Sequence, residues 1–246
     1  MNQTTPTHRP AALVFGGSRG IGAAAVTRLM ADGYAVAFTY VSRPDKAQEI
    51  VAAAEQEGLQ AFAIEADSAD PAAVRQAVAR AVERFGPLSV VVVNAGILRL
   101  GTIDTVELDV LDQMLNVNVR GVYLSIQAAV PHLVDGARII TIGSNVAIRT
   151  GFAGSSVYQM TKAAVAGMVK GIALDLAPRR ITVNNVQPGP TDTDMNAGHI
   201  DMLKGMSPLK RVGTAQEVGG LISYLASEEA RYMTGSSLTI DGGFTL

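Results

Sequence analysis

AALVFGGSRGIGAAAVTRLMADG, residues 11–33, decides the fold. The apolar run Ala11 to Phe15 reads as a buried strand, and it passes directly into a glycine-rich turn and then into an Ala-rich helical run. Gly16, Gly20 and Gly22 stand at G-x-x-x-G-x-G spacing, where a backbone must approach another group closely. The commoner dinucleotide fingerprint is G-x-G-x-x-G, so the match to it is loose, and context strengthens it. Backbone N–H groups left free at a helix start bind phosphate. Gly16, Ser18, Arg19, Gly20 and Ile21 are therefore candidate ligands of a dinucleotide, the alternative being a turn needed only for packing.

Outward from this unit the chain keeps alternating strand-like and helical runs, the pattern of βαβ units around a parallel sheet. The strand candidates are 11–15, 34–40, 59–65, 88–93, 137–142, 181–186 and 237–240. They predict one seven-stranded, doubly wound Rossmann-type α/β domain over 11–246, preceded by a short mobile tail, 1–10. With 246 residues, 48% hydrophobic and 17% charged, the chain can bury a large core and suits a sheet covered on both faces. The polar start MNQTTPTHRP has no signal-peptide core, and no apolar run approaches a membrane span. A net charge of −2 gives no footprint for nucleic acid. Zero cysteines remove disulfides, thiol nucleophiles and cysteine metal sites and suit a cytoplasmic protein. Nothing resembles a metal cluster; His199, the one histidine near the candidate site, reads as surface.

The tip of the second strand, FTYVSR, lacks the Asp or Glu that would accept from an adenosine ribose 2′-OH. Tyr40 holds that position, followed by Ser42 and Arg43. Arg19 and Arg43 are the cations for a 2′-phosphate, which favours NADP(H) over NAD(H); the alternative for either is solvated surface. Asp67 and Ser68 fall at the carboxyl end of the third strand and Asn94-Ala95-Gly96 at that of the fourth, where ligands bind in open parallel sheets. Asp70 reads as a helix cap. Asn116 and Asn118 interrupt an apolar helical pattern and call for hydrogen-bond partners.

The stretch IGSNVAIRTGFAGSSVYQMTK, 142–162, alone carries groups able to move a proton. If Ser156 caps a helix, Tyr158 and Lys162 share one face, and the ammonium should draw the phenol's pKa down towards the useful range. Ser144, at the end of the strand-like run ARIITIGS, offers a hydroxyl to a carbonyl oxygen.

GGSRGIG, VVNAG, Asn118, Ser144, Tyr158-x-x-x-Lys162 and VQPGPTDTDM occur in the order and approximate spacing of the short-chain dehydrogenase/reductase family, which the chain resembles from Ala11 to Gly243. The resemblance implies that Tyr158 exchanges the proton with the carbonyl or alcohol oxygen, that Lys162 lowers the tyrosine's pKa and bonds the nicotinamide ribose, and that Ser144 holds the substrate oxygen. Asn118, rather than Asn116, then matches the asparagine whose helix distortion anchors a relay water. Pro188, Gly189, Thr191 and Thr193 match the loop over the nicotinamide carboxamide and diphosphate. A homotetramer, built through the helices of Asn118 and Tyr158, is implied as well. Phe15 departs from the family's threonine before the first glycine, so the turn loses a hydroxyl that helps hold it. The interval from Ser144 to Tyr158 is one residue longer than in the family's keto-acyl reductases, which alters the loop 145–155 where substrate shape is read.

Residues 190–210 read as a lid made apolar and adaptable by Met195, Met202 and Met206, unless these pack against core or subunit. With Ile97, Leu98, Val146, Ile148 and Phe152 they suit a hydrophobic ketone or aldehyde. Asp192 and Asp194 read as lid turns and capping, without a catalytic part, and Asn184 and Asn185 as strand-end bonding. LVFGGSRGIGAA, FTY, DSAD, VVNAGI and VQPGPTDTDMN look like the branch of the family that includes cyclic-di-GMP-binding biofilm-dispersal proteins, which makes a cyclic dinucleotide the alternative ligand.

Overall fold

The computed structural model describes residues 9–246; most of the tail expected at 1–10 lies outside them. In chain order the elements begin with β1 (Ala11–Phe15), α1 (Gly20–Ala31), β2 (Ala35–Tyr40), α2 (Pro44–Gln56), β3 (Ala61–Glu65), α3 (Pro71–Phe85), β4 (Leu88–Val93) and α4 (Leu108–Leu115). A π-helical turn, Asn116–Gly121, joins α4 to α5 (Val122–Ala129). Then come β5 (Leu133–Ile142), α6 (Ser156–Leu176), β6 (Thr182–Pro188), β7 (Thr191–Asp192), α7 (Ile200–Met206), β8 (Gly213–Thr214), α8 (Ala215–Ala226) and β9 (Ser237–Ile240).

Seven strands form one parallel sheet in the order β3-β2-β1-β4-β5-β6-β9. The expected architecture is present, with strand ends shifted by a few residues; β5 starts four residues earlier, at Leu133, which pairs with Leu88. Alternation along β1 shows why the sheet needs two covers. Leu13 and Phe15 enter one apolar layer, with α3, α5 and α6, while Ala12 and Val14 enter the other, with α1 and α8. Every residue of β1 is buried, so each side chain contributes roughly the full apolar transfer energy of its type.

The strand order reverses between β1 and β4, and the crevice at a reversal of this kind is where open α/β sheets bind ligands. The glycine turn leaves β1 and Asn94-Ala95-Gly96 leaves β4, so both expected segments flank it. Local signals set the helix starts: Asp70 accepts from Ala72 N–H at 2.8 Å ahead of Pro71, and Thr214 and Glu217 form a reciprocal capping box on α8. Ser156 is not a cap. It is the first helical residue of α6, and the preceding Ser155 instead donates its hydroxyl to Phe152 O at 3.0 Å.

The segment 190–210 is more structured than a loop reading suggests. Thr191 pairs with Gly213 and Asp192 with Thr214 in a two-stranded parallel sheet, which fixes both ends of the lid, and α7 lies between them.

Candidate active site

The glycine turn is held from two neighbouring strands. Asn94 Nδ2 donates to Gly16 O at 2.7 Å, as expected for a side chain tying strands together. The hydroxyl lost at Phe15 is replaced from β2: Thr39 Oγ1 accepts from Gly16 N–H at 2.9 Å, and Thr39 O accepts from Gly17 N–H at 2.8 Å. A Cβ on Gly22 would stand 2.0 Å from Gly16 O, so α1 can enter this close to the turn only with glycine there. Gly20 has φ +53, the left-handed region glycine tolerates best. Thr39 is the residue that sequence reasoning missed; its only signal was its place one residue before Tyr40, opposite Ile64 on β3.

This turn fits a dinucleotide's diphosphate on its own evidence. Arg19 occupies the N-cap position of α1, makes no capping bond, and no acidic residue follows in the first turn. The helix therefore presents N–H donors and the positive end of its dipole with no internal anion to satisfy them. Ser18 is partly buried in the turn, while Ile21 and Tyr40 pack partly buried against the α1/α8 layer.

Beside the turn lie the two arginines, each holding a carboxylate. Arg43 makes a forked contact with Asp45, 2.7 Å from Nη2 and 3.0 Å from Nε, and its backbone sits at φ 139, a conformation L residues rarely adopt. Asp45 is drawn down to about 2 by that hydrogen bond. Asp194 lies in the lid turn as expected, and its carboxylate also stands 3.7 Å from Arg19 of the glycine turn. Ser42 and Asp67 are exposed, the Asp67 carboxylate accepting from Ala69 N–H at 2.8 Å. Ser68 is buried, and its carbonyl lies so near the π turn that a Cβ on Gly121 would approach it to 2.6 Å.

The expected proton-transfer residues converge on the far side of the crevice. Asn118 is buried in the π turn; its Oδ1 accepts from Ile97 N–H at 2.8 Å, and its Nδ2 donates to Ile97 O at 2.8 Å and Thr161 Oγ1 at 3.2 Å. Asn116, expected to need partners, is exposed and so bonds to solvent. A Cβ on Gly96 would be 3.4 Å from Asn118 Oδ1 and 3.5 Å from Lys162 Nζ, so Ala95 and Gly96 lie where the asparagine and lysine meet. Lys162 is buried, donates to Ile142 O at 2.9 Å, and has its ammonium 5.6 Å from the Tyr158 ring centre. Ser144 Oγ accepts from Val146 N–H at 3.3 Å and reaches Asn145 Oδ1 at 3.5 Å.

The electrostatics correct one expectation. Burial pushes the Tyr158 phenol up to about 12, with a hydrogen bond from Ser144 offsetting part of the rise. Tyr158 as a whole keeps some exposed surface, so it is the crowding around its hydroxyl that matters. Lys162 does not draw the phenol down here. Its own pKa is lowered to about 8 because the same enclosure penalises its charge, and its proton is directed at Ile142 O.

The loop expected on the nicotinamide side is tied to the last strand. Pro188 is buried, Gly189 N–H donates to Ile240 O at 2.9 Å, and the Thr191 hydroxyl donates to Gly189 O at 2.9 Å. The Thr193 methyl lies on the glycine turn, 3.2 Å from where a Gly20 Cβ would stand. Met195, Met202 and Met206 are exposed rather than packed into the core, as are Ile148 and Phe152. Asn184 and Asn185 do serve strand-end bonding, to Met233 O at 2.7 Å and the Ser237 hydroxyl at 3.1 Å. Among the described residues there is no cluster of three metal-ligating side chains, and no helix is long and apolar enough to cross a membrane.

A phosphate-ready turn at the switch point, with a serine, a tyrosine and a lysine gathered across the crevice, defines a dinucleotide-dependent oxidoreductase. A family model described as enoyl-(acyl carrier protein) reductase matches residues 16–245. A short-chain dehydrogenase/reductase from Serratia marcescens is 50% identical, with a TM-score of 0.95 over 98% of this chain and 100% of that one. A short chain dehydrogenase from Burkholderia cenocepacia, solved in complex with NADP, is 49% identical, with a TM-score of 0.93 over 96% and 98%. The cyclic-di-GMP-binding biofilm dispersal mediator protein of Escherichia coli is 41% identical over 235 residues, 94% of this chain and 95% of that protein. The chain belongs to the short-chain dehydrogenase/reductase family.

Proposed function

We infer that the protein is an NADPH-dependent carbonyl reductase of the cytoplasm, acting on hydrophobic ketones or aldehydes and reversible as an alcohol dehydrogenase. The observation that carries this reading is the Tyr158 side chain with the Lys162 ammonium 5.6 Å from its ring centre, on the helix that packs beside Ser144 at the end of β5. With its pKa near 12 the phenol keeps its proton at neutral pH, the state in which it can give one to a carbonyl oxygen. Ser144 holds that oxygen. Lys162 bonds the nicotinamide ribose and stabilises the phenolate left after transfer, and Asn118 keeps the π turn open for a relay water. NADPH held there would supply the hydride for the carbonyl carbon. Gly16, Ser18, Gly20 and Ile21 cradle the diphosphate, Arg19 and Arg43 the 2′-phosphate, with Tyr40 and Ser42 along the adenosine ribose. Asp67 and Ser68 flank the adenine side, and Asn94 to Gly96, Pro188, Gly189, Thr191 and Thr193 line the nicotinamide side. The relative from Burkholderia cenocepacia bound to NADP supports this choice of cofactor.

The exposed methionines of 190–210, with Ile148 and Phe152, form the apolar side offered to substrate. Exposed Leu108 and Tyr123 on the Asn118 helix unit, and Met160 and Leu174 on α6, support assembly of a homotetramer through these helices. The test of the activity is a panel of ketones and aldehydes followed by NADPH absorbance. Turnover of apolar members supports the reading, and no turnover across the panel counts against it.

A second reading is a protein that binds a cyclic dinucleotide on the same fold, favoured by the similarity to the biofilm dispersal mediator. Calorimetric titration with cyclic-di-GMP decides it, since absence of heat at high micromolar ligand removes this reading.

A further inference from the structure

Lid and cofactor turn meet at two adjacent residues. Thr193 packs its methyl on Gly20, and the next residue, Asp194, places its carboxylate 3.7 Å from Arg19. Both charged side chains are largely exposed, so the pair is weak and easily exchanged for another anion. Asp194 also lies close enough to add to the field on Arg43, whose guanidinium is held protonated first by Asp45 and then, more weakly, by Asp194. Of the carboxylates acting on these arginines, Asp45 is fixed in the first turn of α2 and Glu49 is paired with Lys46 on the same helix, whereas Asp194 comes from the lid. A 2′-phosphate bound between Arg19 and Arg43 brings two negative charges to where Asp194 already sits.

We propose that Asp194 is the counter-charge of the 2′-phosphate pocket: it pairs with Arg19, competes with a 2′-phosphate for that guanidinium, and so ties binding of the phosphate to release of the start of the substrate lid from the glycine turn. Asp194 thereby sets how strongly NADPH is preferred over NADH and couples the adenosine end of the cofactor to the segment that admits substrate. This deepens the cofactor reading above and rests on it. The coupling is limited to the difference in interaction between the two lid positions, as any such linkage must be.

The probe is adenosine 2′,5′-bisphosphate, with 5′-AMP as control, titrated calorimetrically while hydrogen exchange is followed over 191–206. In the wild type the bisphosphate raises exchange in this segment and AMP does not. In Asp194→Asn exchange is already raised, the bisphosphate adds nothing, and NADPH binds about two- to five-fold more tightly with NADH unchanged, the size expected from an exposed charge pair. Unchanged NADPH affinity in Asp194→Asn, or lid exchange indifferent to the bisphosphate, overturns the proposal while leaving the 2′-phosphate site intact. If wild type binds the bisphosphate no better than AMP, the cofactor reading falls and the proposal with it. Asp194→Glu, which restores the charge, returns NADPH affinity to the wild-type value.

Discussion

Lys162 and Tyr158 stand 5.6 Å apart, ammonium to ring centre, and burial shifts them in opposite senses, the phenol up to about 12 and the ammonium down to about 8. In each case the neutral form gains, because the same low-polarity surroundings penalise a phenolate and an ammonium alike.

Proton donation by Tyr158 makes a kinetic prediction with a sign. Carbonyl reduction, which needs the protonated phenol, holds its rate through neutral pH, whereas alcohol oxidation, which needs the phenolate, climbs into the alkaline range. Tyr158→Phe lowers turnover by about 10²- to 10⁴-fold, the usual worth of a positioned acid or base, with little change in NADPH affinity. Rate profiles in both directions and a cofactor titration of the variant check this; full turnover in the variant would be fatal to the assignment.

Burial of Lys162 makes a stability prediction opposite to its functional one. Lys162→Met should make the protein more stable by about 1–3 kcal/mol at pH 7, since a buried ammonium is replaced by an apolar chain of similar length, while reduction is lost. A lysine whose folded pKa lies below its unfolded value destabilises the fold where it must be charged, and this cost fades as pH rises from about 8 to the unfolded value of 10.5. The gap between variant and wild type therefore narrows across that window. Urea denaturation at several pH values measures it, and a less stable variant at neutral pH would contradict the account.

The arginine pair predicts selectivity. Replacing Arg19 and Arg43 together by Ala weakens NADPH about ten- to a hundred-fold through lost charge-assisted hydrogen bonds and leaves NADH within a few-fold. Parallel titrations with the two cofactors decide, and equal losses would remove the 2′-phosphate argument.

Thr39 is the simplest structural test. Thr39→Val keeps the shape of the side chain and deprives Gly16 N–H of its acceptor, at a cost of about 1–3 kcal/mol; Thr39→Ser restores most of it. Thermal or urea unfolding of the two variants shows whether the hydroxyl or the methyl matters.

Regular alternation and compact motifs made most of this legible. The strand Ala11–Phe15, the seven-stranded parallel sheet and the segments at its strand ends follow from apolar runs and glycines that act locally, whereas the order of the strands does not. Contacts between distant segments escaped. Nothing near Phe15 in sequence says that Thr39 will replace a missing hydroxyl, and nothing near Asp194 says that it will meet Arg19. The phenol's pKa was expected to fall because spacing displays the Lys162 charge, whereas the enclosure that outweighs it exists only once the sheet and α6 have packed. Two adjacent serines carry the same capping signal, and neither side chain caps α6: Ser155 holds the position before the helix but gives its hydroxyl to Phe152 O.

The π turn at Asn116–Gly121 is in effect one residue more than a regular helix needs. Removing a single residue there, Val117 for instance, would let α4 and α5 run on as one unbroken helix with the downstream face still on the sheet. Asn118 would then be carried away from Ile97 and Thr161. The irregularity is thus a matter of chain length rather than of side-chain chemistry, and a one-residue deletion there would undo the bonds of Asn118 without altering any of the side chains that make them.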